Sequence, residues 1–180
     1  MIFYTADLHF GHVNAIKYDG RPFKTVDEMN DQMIQRWNAR VKDSDKVYIL
    51  GDFSMHNTDL TKEILEQLHG KKYLIRGNHD DIDMRSLFDG FWDYKKINDN
   101  GRNIILSHYF MPSYEGVHKD SIMLHGHTHN SDAARIEENI KTMYKKQNMP
   151  CKAFNVGCMY FNYTPATLDE IIRFWKNKKE

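Results

Sequence analysis

Five short apolar runs in this chain each stop at side chains of the kind that bind metal. Ile2-Phe3-Tyr4-Thr5 leads to Asp7 and His9, Lys46-Val47-Tyr48-Ile49-Leu50 to Gly51-Asp52, and Lys72-Tyr73-Leu74-Ile75 to Arg76-Gly77-Asn78-His79-Asp80. Ile104-Ile105-Leu106-Ser107 stops at His108, and Ser121-Ile122-Met123-Leu124 at His125-Gly126-His127-Thr128-His129. Runs this short and apolar read as buried strands. A single polar turn after a strand has a plain explanation as a helix cap or a hydrogen-bonded core residue. Five in succession do not. Where strands alternate with helices, ligands gather beyond the carboxyl ends of the strands, so the pattern predicts an α/β sheet with one polar site at that end.

The segments between the runs supply the helices. Thr25-Val26-Asp27-Glu28 has the form of a capping box, with Thr25 as N-cap and Glu28 reaching back. Met29, Met33, Ile34 and Trp37 then repeat at helical spacing, which predicts a helix from about Val26 to Arg40. A second helix is expected from Leu60 to Leu68, with Gly70 placed for its C-terminal cap, and a short one from Met84 to Phe88. Residues 17–23 read as a loop. Trp92 to Ile97 and Arg102 to Leu106 read as two strands around Asn98-Asp99-Asn100-Gly101, which carries an Asn-Gly hairpin signal. Within Asn130 to Lys152, Ile136, Ile140 and Met143 or Tyr144 suggest the apolar side of a charged helix. Ala153 to Gly157 is expected to be a strand, and Thr167 to cap a last helix over Leu168 to Lys176. The charged residues 176–180 read as a solvated tail.

At 180 residues a single domain, 1–180, is the expectation. Lys and Arg number 25 against 25 Asp and Glu, so no global basic field points to nucleic acid. No leader and no long apolar segment is read, which leaves no membrane partner and a cytoplasmic location as expectations. Cys151 and Cys158, seven apart, fit neither a Cys-x-x-Cys site nor a disulfide scaffold and are expected to be idle or buried thiols. The chain is instead rich in histidine. It has ten, of which His9, His12, His79, His108, His125, His127 and His129 lie in or beside the polar clusters. His56, His69 and His118 are expected at the surface, and His125 to point away from the cluster, since side chains alternate along a strand.

The donors are nitrogen and oxygen. Asp7 and His9, two apart, leave the same face of an extended chain and suit one ion. Asp7, His9, Asp52, Asn78, His108, His127 and His129 together are more than one ion takes from a protein. Two ions sharing a carboxylate use them well, and Asp52, alone on its turn, is the natural bridge. Such a pair, ~3.5–4 Å apart, can hold a hydroxide and clamp both ends of an in-line displacement at phosphorus. With no cysteine near, a structural zinc site is disfavoured. Manganese is the expected ion, and iron, zinc, nickel and cobalt are compatible with the same donors.

Asp7-Leu8-His9, Gly51-Asp52, Gly77-Asn78-His79-Asp80, His108 and Gly126-His127-Thr128-His129 resemble, in order, the five motifs of the calcineurin-like metallophosphoesterases. The resemblance implies a two-sheet β-sandwich flanked by helices. It implies that Asp7, His9, Asp52 and His129 hold one metal, and Asp52, Asn78, His108 and His127 the other. It makes His79 the general acid for the leaving oxygen, with Asp80 orienting its ring. The segment from Asp7 to His12 and Arg21-Pro22-Phe23 further resemble a small branch of the family without a cap domain. His12 and Arg21 are candidates for phosphate contact; a bond to a ligand is the alternative for His12, and a structural salt bridge for Arg21. The implied activity is phosphoester hydrolysis, and the little room this chain leaves for a cap, hence an open site, leans the expectation to small phosphodiesters. A nuclease or a phosphomonoesterase is the alternative on the same site, and a non-catalytic interaction scaffold the alternative of another class. Oligomeric state is not legible.

Overall fold

The computed structural model describes residues 1–149 and 151–178. Lys179 and Glu180, the end of the expected charged tail, and Pro150 lie outside them. Eight strands form two sheets of four. In the first, β1 (Ile2–Thr5), β2 (Lys46–Ile49), β3 (Lys71–Ile75) and β4 (Gly90–Trp92) lie in that order, all parallel. In the second, β5 (Tyr94–Asp99) runs antiparallel to β6 (Arg102–Ser107), and β6, β7 (Ile122–His125) and β8 (Ala153–Asn155) run parallel. The helices are α1 (Val13–Tyr18), α2 (Val26–Asn38), α3 (Thr58–Gln67), α4 (Asp132–Lys146) and α5 (Leu168–Asn177).

Strand alternation divides the core into layers. Tyr4, Tyr48, Leu50 and Ile75 from the first sheet meet Ile104, Leu106, Ile122, Leu124 and Val156 from the second, closed by Leu168, Ile171 and Trp175 of α5. Phe3, Val47, Ile49 and Leu74 face the other way, onto Met29, Met33 and Trp37 of α2 and Ile64 and Leu65 of α3. Ile105 and Met123 face outward from the second sheet onto Tyr114 and Val117. This is a two-sheet sandwich with helices outside, as the resemblance implies.

Several expectations are corrected in detail. Trp92 does not belong to the hairpin: it pairs with Ile75 in the first sheet, and the chain changes sheets at Asp93. The hairpin itself closes over Asn100 and Gly101, with φ of 50° and 81°, the left-handed pair that a two-residue turn requires. The Thr25 box is half formed. Its hydroxyl accepts from the Glu28 N–H, while Glu28 accepts from the Lys24 N–H. A full box caps α5, where Glu170 accepts from the Thr167 N–H at 2.9 Å. The loop expected over residues 17–23 begins later, since Lys17 and Tyr18 belong to α1. In α4 the stripe of Ile136 and Met143 faces solvent, and Glu137 and Lys141 face inward. Among the described residues no helix is long and apolar enough to cross a membrane.

Candidate metal centre

Every parallel strand but β4 and β8 ends at this centre, and the backbone there is strained. Asp7, His9, Asp52, His127 and His129 all have left-handed φ, between 47° and 72°. Such a conformation costs a residue with a side chain on the order of 1–2 kcal/mol and persists only where surrounding bonds dictate it. Here they do. Asp7 N–H donates to Gly51 O, His9 N–H to Asp52 O, and His127 N–H to the Asp7 carboxylate at 3.0 Å. Two glycines make room. A Cβ on Gly51 (φ +89°) would lie 2.2 Å from His108 Nδ1, and one on Gly77 2.2 Å from Asp52 Oδ1.

Two groups of donor atoms result: Asp7, His9 and His129, and Asp52, His108 and His127, the atoms of each within 4.8 Å of one another. Asp52 lies between them, with Oδ2 3.7 Å from His9 Nε2 and 3.6 Å from His108 Nε2. Asn78 Oδ1 stands 3.1 Å from His108 Nε2, beside the second group. The seven residues expected as metal donors are thus brought together.

Their chemistry fits cations. His108 Nδ1 donates to Leu50 O at 2.8 Å, which turns the Nε2 lone pair onto Asp52 and Asn78. His129 Nδ1 donates to Asp19 Oδ1 at 2.7 Å, which turns Nε2 toward Asp7 and to 3.1 Å from His9 Nε2. Acceptor atoms facing one another with little hydrogen between them are what a cation resolves, and bonds to the far ring nitrogen orient ligating imidazoles in this way. Burial pushes the Asp7 carboxyl up to about 6, against the pull of His129 and His108. Burial, with His129 nearby, holds the His9 ring neutral, at about 2. Burial also works against charge on His129, but the Asp19 and Asp7 carboxylates together outweigh it and lift the ring above the ordinary imidazole value. His129 would give up that proton to serve as a ligand.

His79 is exposed, its ring 5.5 Å from that of His9 and its N–H donating to Asp52 Oδ1 at 3.0 Å. No hydrogen bond occupies its ring among the described residues. Asp80, expected to orient that ring, does something else. Its buried carboxylate accepts from the N–H groups of Asp52, Phe53 and Gly77, at 2.7, 2.9 and 2.8 Å. It ties the β2 and β3 turns together, because its side chain folds under the loop that carries His79. Of the two readings of Arg21, phosphate contact gives way to the structural salt bridge. Arg21 is 4% exposed, and its guanidinium is engaged by Asp7 O, Leu8 O and Asp19, which leaves it no reach to a substrate. His12 does stand at the centre, half-buried, 5.5 Å from the His9 ring, with Nδ1 buried and unpartnered.

Asp19 escaped the sequence reading. Its signal was a carboxylate two residues before Arg21, the buried salt bridge in which it is held at 2.9 Å. Glu137 escaped too. It accepts from Thr128 Oγ1 at 3.1 Å, between the ligand-type residues His127 and His129. His125 is fully buried against Phe110, pointing away as expected, with its pKa down at about 3 by burial. His69 and His118 are exposed, whereas His56 is half-buried over Gly11, where a Cβ would come 2.2 Å from its Nε2. The Cys158 thiol is buried and donates to Asp7 O, its pKa pushed up to about 12 by burial, while Cys151 is half-buried, and neither is joined in a disulfide.

Comparison with known proteins gives this centre a context. The calcineurin-like phosphoesterase family matches residues 1–173. An uncharacterized protein of Methanocaldococcus jannaschii is 36% identical over 180 residues, covering 99% of this chain and 93% of its own. The gene 66 protein of Mycobacterium phage D29 is 30% identical over 162 residues, covering 72% of this chain and 78% of its own. A solved structure from Aquifex aeolicus, of a protein of unknown function, has a TM-score of 0.71 at 25% identity over 96% of this chain and 98% of that one. Fold and donor groups together support metal-dependent hydrolysis of phosphoesters at the level of the family. With that match along nearly its whole length and both donor groups in place, the chain belongs to the calcineurin-like phosphoesterases.

Proposed function

We propose that this protein is a dinuclear metal-dependent phosphodiesterase acting on small phosphodiesters. One observation carries the reading: Asp52, a member of the second donor group, also stands 3.7 Å from His9 of the first, and the ring of His79 lies beside that of His9. Asp7, His9, Asp52 and His129 would hold one divalent ion, and Asp52, Asn78, His108 and His127 the other, with manganese the ion expected of this nitrogen and oxygen set. Bound there, the ions supply charge for the phosphoryl oxygens and a nucleophile at neutral pH. The protein's own part is to fix geometry and move a proton. Asp52 N–H, Phe53 N–H and Gly77 N–H converge on Asp80, which locks the two turns bearing Asp52 and His79 together. His79, exposed on that turn, donates its proton to the leaving oxygen.

The preference for diesters rests on openness. Asn78, His79 and His127 are all exposed, so the mouth takes organic groups on both sides of phosphorus. The test is turnover of bis-p-nitrophenyl phosphate beside p-nitrophenyl phosphate. Metal-stripped protein would be given manganese, iron, zinc, nickel, cobalt or magnesium singly, with a chelator control. Metal-dependent preference for the diester is expected. Preference for the monoester would turn the reading to a phosphatase, and no turnover with ions bound would sink it.

A further inference from the structure

Directly after His108 stands an aromatic ring for which the metal chemistry has no need. The Tyr109 ring lies edge-on to His108 and His127, with centroids 4.9 and 4.7 Å away and planes inclined at 73° and 66°. It therefore touches both imidazoles of the second donor group. It is 46% exposed, and no hydrogen bond engages its hydroxyl among the described residues. Tyr4, in the core, is by contrast fully covered. Tyr109 keeps much of its ring open to solvent at the mouth.

The other flank of the centre differs. There the rings of His12 and His79 each lie 5.5 Å from that of His9, a member of the first donor group. The mouth thus has two unlike ends. One offers imidazoles, which move protons. The other offers an aromatic surface, which stacks on flat groups without regard to their hydrogen-bonding pattern.

We infer that Tyr109 is a specificity-determining residue, and that it stacks a flat aromatic group, a nucleobase, on the ester arm that the phosphorus keeps. This rests on the diesterase reading, because a monoester has no retained arm. In the step, water oxygen forms the new P–O bond as the bond to the leaving oxygen breaks. His79 gives that oxygen its proton and is reprotonated by the proton water releases. The retained ester bond stays intact throughout, with its base against Tyr109.

Two esters with one leaving group isolate the retained arm: thymidine 5′-(p-nitrophenyl phosphate) and ethyl p-nitrophenyl phosphate. The metal-loaded wild type is expected to prefer the thymidine ester. Tyr109→Ala should lower the kcat/KM ratio of thymidine to ethyl ester about tenfold, the size of a lost base–aromatic stack. The loss should lie in KM, and Tyr109→Phe should retain the ratio. Calorimetric binding of thymidine 5′-monophosphate, which needs no turnover, should weaken by a similar factor in Tyr109→Ala alone. An unchanged ratio and unchanged nucleotide affinity in Tyr109→Ala would overturn the inference. So would loss of bound metal in step with activity, which would make Tyr109 a shield for His108 and His127. If the wild type cleaves neither ester yet binds the nucleotide through Tyr109, the diesterase reading fails and the stacking role stands.

Discussion

His79 and Asp52 sit within one hydrogen bond of each other and are expected to fail in different ways. His79→Ala removes a proton donor and no ligand. It should keep both metals and lose turnover by roughly 10²–10⁴-fold, the usual weight of general acid catalysis. Metal analysis alongside kinetics checks this; ions lost in proportion to activity would show that His79 is a ligand. Asp52→Asn should lower occupancy at both positions, because its Oδ2 stands within 3.7 Å of donors from each group. Loss of one ion alone would show that it is no bridge. Asp19 acts one step further out. It orients His129 through Nδ1, so Asp19→Ala should weaken metal binding by about 10–100-fold, with kcat at saturating metal largely preserved. Titration of metal-stripped protein reads that shift, and an unchanged affinity would reduce Asp19 to a partner of Arg21.

Among the elements, α4 behaves least as its pattern suggests. Ile136 and Met143 keep helical spacing, yet they point to solvent, and Glu137 and Lys141 turn inward. The reason lies in the neighbours. Glu137 meets Thr128 on the loop between His127 and His129, Lys141 pairs with Glu138, and His125 lies 3.9 Å from the Glu137 carboxylate. Burial pushes the Glu137 carboxyl up from 4.5 to about 7. Its folded pKa lies above that of the unfolded chain, so the protonated acid favours folding below about 4.5, and that contribution is lost as the pH rises through about 7. Glu137→Gln keeps an oxygen for Thr128 and removes the charge. The variant and wild type should melt together near pH 4 and part at pH 8. There the variant should be higher by ~2–4 °C for each ~1 kcal/mol relieved. Equal melting at both values would mean that Lys141 already compensates the charge.

The whole molecule concentrates its cost at one end. Two sheets share a core that is complete without any ion, while the strand ends hold five donors in left-handed backbone and acceptor atoms face one another. Ions bound there act on folding by mass action, on the order of 2.7 kcal/mol at a hundredfold excess over Kd. For a chain of this length that is ~5–10 °C in Tm. Removal of metal by a chelator should lower Tm by that amount and leave the far-ultraviolet spectrum of the folded state unchanged. A Tm indifferent to metal would mean that the donor groups bind none tightly.

Much of this architecture was legible in local pattern, because strand runs and their terminal donors are written in consecutive residues. Asp7, His9, Asp52, Asn78, His108, His127 and His129 were singled out by their place at the ends of apolar runs, and the hairpin at Asn100-Gly101 by turn chemistry that admits few alternatives. What escaped depends on residues distant in the chain. Whether Arg21 reaches substrate or Asp19, and whether Asp80 serves His79 or the backbone of Asp52, turns on which loop packs beneath which. Trp92 could not be assigned to one sheet or the other from local pattern, because a single residue, Asp93, separates the two strands. The sequence alone therefore determined which side chains gather and at which end of the strands. Only the tertiary structure decided which of them face the centre and which hold it in place, because a buried hydrogen bond is settled by the partner that folding brings within about 3 Å.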